Sequence, residues 1–274
     1  MSPESLPYAL LIVLVEFTVG GLWVLALCDA RGNAASSFIK FGAVLTLTMA
    51  ALTFIVATQV NIGDEVDGYP LDSDRIHEVQ IALAAVFALS GLYAAATISE
   101  HRIPGLVFAA LGSVAGLAAI GLLATVISVP TWGFALVFAS LVIGALAVGA
   151  VSMGMILGHW YLVTPRLPEA PLREMTGLLL VVMVLQAVLI AASLALPRDT
   201  IESSVTTPIL ENPFLWMRIG FGLAFPALLV WMAYDSSGAR AMQSATGLLY
   251  IAMALVLCGE VVAKGLMFAS AVPN

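Results

Sequence analysis

Among the polar side chains inside the long apolar stretches of this chain, Glu16, Gln186, Arg218 and Glu260 stand out. An ionisable group in lipid is costly, so it is paired, solvated or functional. Glu16 opens the run Glu16-Phe17-Thr18-Val19-Gly20-Gly21. It lies about eight residues into its stretch, which at about 1.5 Å per residue is about 12 Å deep. A carboxylate there either ties helices together in a protonated or hydrogen-bonded form, or handles a proton or contacts a ligand. Arg218 comes about one turn into its stretch, and Glu260 lies in the matching half of the last one, so the two reach a similar level. A hydrogen-bonded Arg218–Glu260 pair is expected, and it can be purely structural, because buried charges must be paired. Lys264, one turn beyond Glu260, either competes for that carboxylate or snorkels to the surface. Gln186 can donate and accept across helices. If the four converge, they line a polar pocket in which Glu16 or Glu260 takes up a proton and Arg218 or Gln186 polarises a ligand oxygen.

A second constellation lies at the other end of the stretches. Gly158-His159-Trp160-Tyr161 precedes Pro165-Arg166, and Gln243-Ser244-Ala245-Thr246-Gly247 opens the last stretch. Two readings stay open: an ordinary membrane interface, or an inner pocket or docking face formed by His159, Trp160, Tyr161 and Gln243 for a headgroup, a quinone ring or a partner. Haem is not expected. Among His77, His101 and His159, only the last two share a side, and no Cys-x-x-Cys-His occurs. No zinc spacing, Walker loop, nucleophile elbow or dinucleotide turn is present, so no catalytic or metal-ligating residue is assigned. The acidic segment Asp64 to Asp74 lacks EF-hand spacing and reads as a solvated outer loop or a docking surface for a basic redox partner.

The elements that must position these residues are eight runs, near 8–28, 38–60, 78–98, 103–126, 131–157, 172–196, 213–234 and 244–270. Each is close to the roughly 20 residues that cross a bilayer core. Charged residues are 10% of the chain against about 25% in a soluble domain. The expected fold is therefore all-α: one polytopic membrane bundle over 1–274, with the lipid bilayer as its first partner. Open sheets cannot face lipid. Lysines and arginines are too few and too scattered for nucleic acid. Arg31, Lys40, Arg102, Arg166, Arg173 and Arg240 fall in odd-numbered loops, Arg75 and Arg198 in even-numbered ones. The positive-inside rule then puts both termini outside, in a membrane taken to be the prokaryotic cytoplasmic one. Met1-Ser2-Pro3-Glu4 lacks a basic n-region, so the first span is expected to stay in the mature protein.

Loop lengths repeat in rhythm, and the first and fifth spans each hold a Val-Gly pair, Val19-Gly20 and Val148-Gly149. Tandem four-helix units over 1–127 and 128–274 would explain this, as would chance likeness among apolar helices. The turn at Ser128-Val129-Pro130 either separates the fourth and fifth spans or only bends them. Gly112/Gly116 and Gly154/Gly158 read as close helix packing within the bundle. Pro226 removes a backbone hydrogen bond at Gly222 and predicts a kink. Cys28 and Cys258 read as small packing residues rather than a disulfide.

The helix number, the span lengths, the termini, and the Gly20-Gly21 and Gly259-Glu260 pairs resemble the membrane-anchor subunits of polysulfide and dimethyl sulfoxide reductases. That resemblance implies two four-helix units, a bound quinone (menaquinone or ubiquinone), and partner subunits, including an extracytoplasmic redox protein. It carries no residue-level motif. The expected function is an integral, itself non-catalytic subunit of an electron-transfer complex, with quinone or proton chemistry in the outer half. The alternatives are a small-solute or ion transporter and a structural or assembly subunit.

Overall fold

A computed structural model describes residues 5–60, 63–66, 69–128, 133–164, 167–195 and 209–270. Eight helical segments are long and apolar enough to cross a membrane. They are α1 (Leu6–Arg31), α2 (Ser36–Gln59), α3 (Ile76–Ile98), α4 (Arg102–Ile127), α5 (Gly133–Val163), α6 (Ala170–Ala195), the interrupted span Pro213–Gly238, and α9 (Met242–Ser270). The expected spans agree to within a few residues at most ends; α5 runs further at its C-terminal end, to Val163. The chain is a helical membrane bundle.

Local signals account for several ends. Pro7 fits the first turn of α1, where its missing N–H is no loss. Gly32 closes α1 at φ 67, a left-handed cap that glycine adopts without strain. Asn212 caps α7 (Pro213–Ile219) by accepting from Phe214 N at 3.0 Å. Extended backbone at Ser128 ends α4. Val129 and Pro130 lie outside the described residues, as do Trp132, Arg166 and Arg198.

Helices α1 to α4 close a ring: α1 packs on α2, α2 on α3, α3 on α4, and α4 back on α1. The second half does the same through α5, α6, α8 (Phe225–Gly238) and α9. The rings meet chiefly where α1 crosses α5, with α4 against α5 and α9 against α1. Close approach is built into that crossing. A methyl on Gly20 would run into the Ala145 carbonyl, and one on Gly149 into the Gly20 backbone. The other small-residue pairs also pack inside the bundle: Gly112 and Gly116 face Leu22 and Val19 of α1, and Gly158 faces Thr246 of α9. Cys28 is buried as a packing residue, but Cys258 is exposed, because its position on α9 faces away from the core.

Strands β1 (Glu65–Val66) and β2 (Tyr69–Pro70) pair antiparallel, and their end of the bundle is termed the hairpin side. A freely solvated loop was one expectation for this segment. Instead Val66 and Tyr69 are buried, Tyr69 OH donates to the Ile127 carbonyl at 2.6 Å, and the Tyr69 ring meets Phe268 edge-on. Asp64, Glu65, Asp72 and Asp74 remain exposed on top. Burial pushes the Tyr69 phenol above its ordinary pKa.

Candidate functional site

Sequence depth put Arg218 and Glu260 at one level and left their convergence with Glu16 and Gln186 conditional; the fold brings all four together. Glu16 comes from α1, Gln186 from α6, Arg218 from α7 and Glu260 from α9; all are buried, with Gln186 the most exposed at 3%. Glu16 and Glu260 each lie about 15 Å of helix rise from their hairpin-side helix ends. Arg218 Nη2 donates to Glu260 Oε1 at 3.0 Å, forming the expected pair. Gln186 Nε2 donates to the same oxygen at 2.5 Å.

Lys264 is the member that sequence reasoning left undecided. It neither snorkels nor simply competes for Glu260. Its side chain is fully buried, with Nζ 2.7 Å from Glu16 Oε1 and 3.4 Å from Glu260 Oε2. The signal was present in the one-turn spacing of Glu260 and Lys264, which puts both on one helix face. What lay hidden was that α1 presents Glu16 to that face.

The cluster thus contains two carboxylates and two cations, balanced when all are ionised. Lys264 ties Glu16 of the first ring to Glu260 of the second. The backbone crowds in as well: a methyl on Gly144 of α5 would collide with the Glu16 carboxylate and approach Glu260 Oε2 to 3.1 Å. Glu260 Oε1 already holds two donors. Lys264 meets the two carboxylates as ion pairs without a hydrogen bond, so Lys264 Nζ, both Glu16 oxygens, Glu260 Oε2, Gln186 Oε1 and Arg218 Nε have no hydrogen-bond partner among the described residues. A buried polar atom without a partner is unusual enough to need a reason.

Pro226 shapes this site in a specific way. In place of a simple kink, the span makes a π-helical turn over Gly220–Ala224, between α7 and α8. Pro226 has no N–H for the Gly222 carbonyl that an α-helix would bond to it. Arg218 Nη1 donates to that carbonyl at 3.3 Å. One guanidinium therefore satisfies both a carboxylate and a proline-orphaned carbonyl. Gly222 and Gly259 cross with no room for a side chain on either, which lets α9 reach this turn.

The inner group does not converge. His159 is exposed, with Nδ1 3.3 Å from Tyr250 OH. Trp160 Nε1 donates to Ser37 Oγ at 2.9 Å and its ring lies near Phe38. Tyr161 is buried and donates to the Pro168 carbonyl. Gln243 is exposed. Of the two open readings, these positions favour an ordinary membrane interface over one shared pocket, since successive helical residues point about 100° apart and three in a row cannot face one point. No group of three or more His, Cys, Asp or Glu suited to a metal occurs among the described residues.

Fold and site together define an integral membrane protein with a buried, charge-balanced cluster between two four-helix rings. No protein-family model matches the chain, and no curated protein or solved structure matches it either.

Proposed function

We propose that this protein is a membrane subunit of an electron-transfer complex and that its Glu16–Lys264–Glu260 cluster handles protons. The observation that carries the proton role is the Lys264 ammonium held between carboxylates of the two rings, beside a Glu16 oxygen that has no donor. A proton passing from Lys264 Nζ to Glu16 leaves a neutral pair; a proton arriving at Glu16 Oε2 instead releases Lys264 to Glu260 Oε2. Either exchange needs only a short movement of one flexible side chain. Glu260, held by Arg218 and Gln186, is the fixed counter-charge, so Glu16 is the better acceptor of the two.

The electron-transfer half rests on the resemblance to quinol-interacting anchor subunits. The cluster itself does not fit a quinone ring: its side chains are almost fully buried, and Gly144 leaves no space for one methyl. A quinone (menaquinone or ubiquinone) is therefore assigned to the complex outside the cluster, and no step here runs through it. Partner subunits belong to the same reading, because the anchor subunits that this chain resembles pass electrons to redox subunits. In this reading the face carrying Arg31, Lys40, Arg102, Arg173 and Arg240 is cytoplasmic and the hairpin is outside.

A transporter is the second reading, and the π-helical interruption beside the cluster favours it, since transporters place sites at broken helices. Purification from native membranes in gentle detergent separates the two. Redox subunits that co-elute, with turnover reduced by Glu16→Gln, support the proposal. A lone protein whose proton or ion flux in vesicles depends on Glu16 moves the assignment to transport. Glu16→Gln that lowers stability while leaving turnover and flux intact reduces the cluster to structural glue and overturns both.

A further inference from the structure

Opposite the hairpin side, the ends of α1 to α4 enclose a cleft of about 360 Å³. That lies within the roughly 300–1,000 Å³ of small-molecule sites. Charges of both signs are fixed around it. Asp29 Oδ2 accepts from Tyr93 OH at 3.0 Å. Arg102 Nη2 donates to the Asp29 carbonyl at 3.1 Å. That placement needs Gly32, where a methyl would run into the guanidinium and where φ is 67. Glu100 holds φ 62, a conformation that costs a non-glycine residue energy and persists only when its surroundings enforce it. Lys40 Nζ donates to Glu100 Oε1 at 2.8 Å; that hydrogen bond, and the charge behind it, hold the carboxyl below the usual range.

We propose that this cleft binds a phosphoethanolamine group, with the ammonium toward Asp29 and Glu100 and the phosphate toward Arg102. A lone anion would meet two carboxylates, and a lone cation would meet the guanidinium; a zwitterion satisfies both. Carboxylates reward N–H donors, which a primary ammonium has and a quaternary one lacks. Quaternary ammonium groups are instead recognised by aromatic faces, and no aromatic side chain among the described residues lines the cleft. Ile98 and Ile103 are exposed at the adjoining ends of α3 and α4, so the opening lies where the bundle leaves its apolar surroundings. This inference is independent of the proton-handling reading, since no residue is shared.

The test uses the full chain, delipidated in detergent and titrated with short-chain phosphatidylethanolamine, phosphatidylcholine and phosphatidylglycerol, with retention read by native mass spectrometry. The ethanolamine lipid is expected to bind about tenfold more tightly than either other lipid, as a pair of charge-assisted hydrogen bonds allows. Asp29→Asn, which can still accept from Tyr93, and Arg102→Gln are each expected to erase the preference. Ala34→Phe, which fills the cleft from its rim, is expected to abolish binding. Displacement of the lipid by water-soluble phosphoethanolamine identifies a free ligand of this chemistry; failure to displace it identifies the lipid. Equal retention of the three lipids by the unsubstituted protein overturns the proposal whatever the variants do, and so does a preference that survives both Asp29→Asn and Arg102→Gln.

Discussion

Lys264 is the residue on which the cluster turns, because among the described residues it alone forms ion pairs with both carboxylates. Removing one partner of a buried ion pair leaves an uncompensated charge and typically costs about 3–5 kcal/mol. Lys264→Met is expected to destabilise by that order, measured as loss of thermal stability in detergent. Adding Glu16→Leu removes the stranded carboxylate, so the double variant is expected to be more stable than Lys264→Met alone. Additive losses would mean that the two groups do not interact. Gly144→Ala separates crowding from charge. It keeps every ionisable group but drives a methyl at Glu16, and it is expected to impair turnover or flux as strongly as Glu16→Gln; an unaffected Gly144→Ala would show that the backbone does not confine the carboxylate. Glu16, Gln186, Arg218 and Glu260 were legible from depth and polarity alone, since each is an exception within an apolar run. The role of Lys264 was not, because a cation near a helix end can snorkel or turn inward, and only the neighbouring helix decides.

Within the seventh span, Pro226 has a consequence larger than the kink that its sequence position suggests. A missing N–H can be accommodated by bending or by a π-helical turn, and both are known outcomes at such sites. The sequence does not choose between them; the choice depends on Arg218 taking the Gly222 carbonyl and on Gly259 allowing α9 to approach. Pro226→Ala restores the N–H, and the Gly222 carbonyl can then return to the helix ladder. Slower amide exchange across Gly220–Ala224 is expected, together with weakened function as Arg218 loses an acceptor; unchanged exchange would mean that the turn is set by packing and not by the proline. The hairpin gives the same lesson for a loop. Its acidity was legible, but its anchoring was not, because Tyr69 and Val66 find their partners on helices distant in sequence. Tyr69→Phe removes the hydroxyl that satisfies the Ile127 carbonyl. It is expected to cost on the order of 1 kcal/mol, and proteolysis or exchange confined to the hairpin would check it.

Across the whole molecule, the span count and approximate boundaries were legible because apolar length maps directly onto bilayer thickness. Helix adjacency was not, because the spans are apolar all round and show no single face to be matched. Val19-Gly20 and Val148-Gly149 were noticed as a repeated pair, yet nothing in their spacing said that they touch each other. Both rings follow the same order of contacts, as tandem four-helix units would, and they meet at this crossing. The crossing also sets the depth of the ionic cluster, since Glu16 lies one turn from Gly20 on α1. Gly149→Ala is therefore expected to destabilise by about 1–3 kcal/mol, because the atoms in its way are Gly20 backbone, which cannot rotate aside as a side chain can. Gly154→Ala, on the same helix, provides the control. Its methyl would meet Met175 at 3.9 Å and Leu249 at 4.0 Å, ordinary contact distances, and a change within about 0.5 kcal/mol is expected. If the crossing positions the cluster, Gly149→Ala also weakens the Glu16–Lys264 contact, so its loss and that of Lys264→Met combine to less than their sum in a double variant. Equal stability of the Gly149→Ala and Gly154→Ala proteins would refute the close approach of α1 and α5, and with it the argument that this crossing holds Glu16 at the level of Glu260.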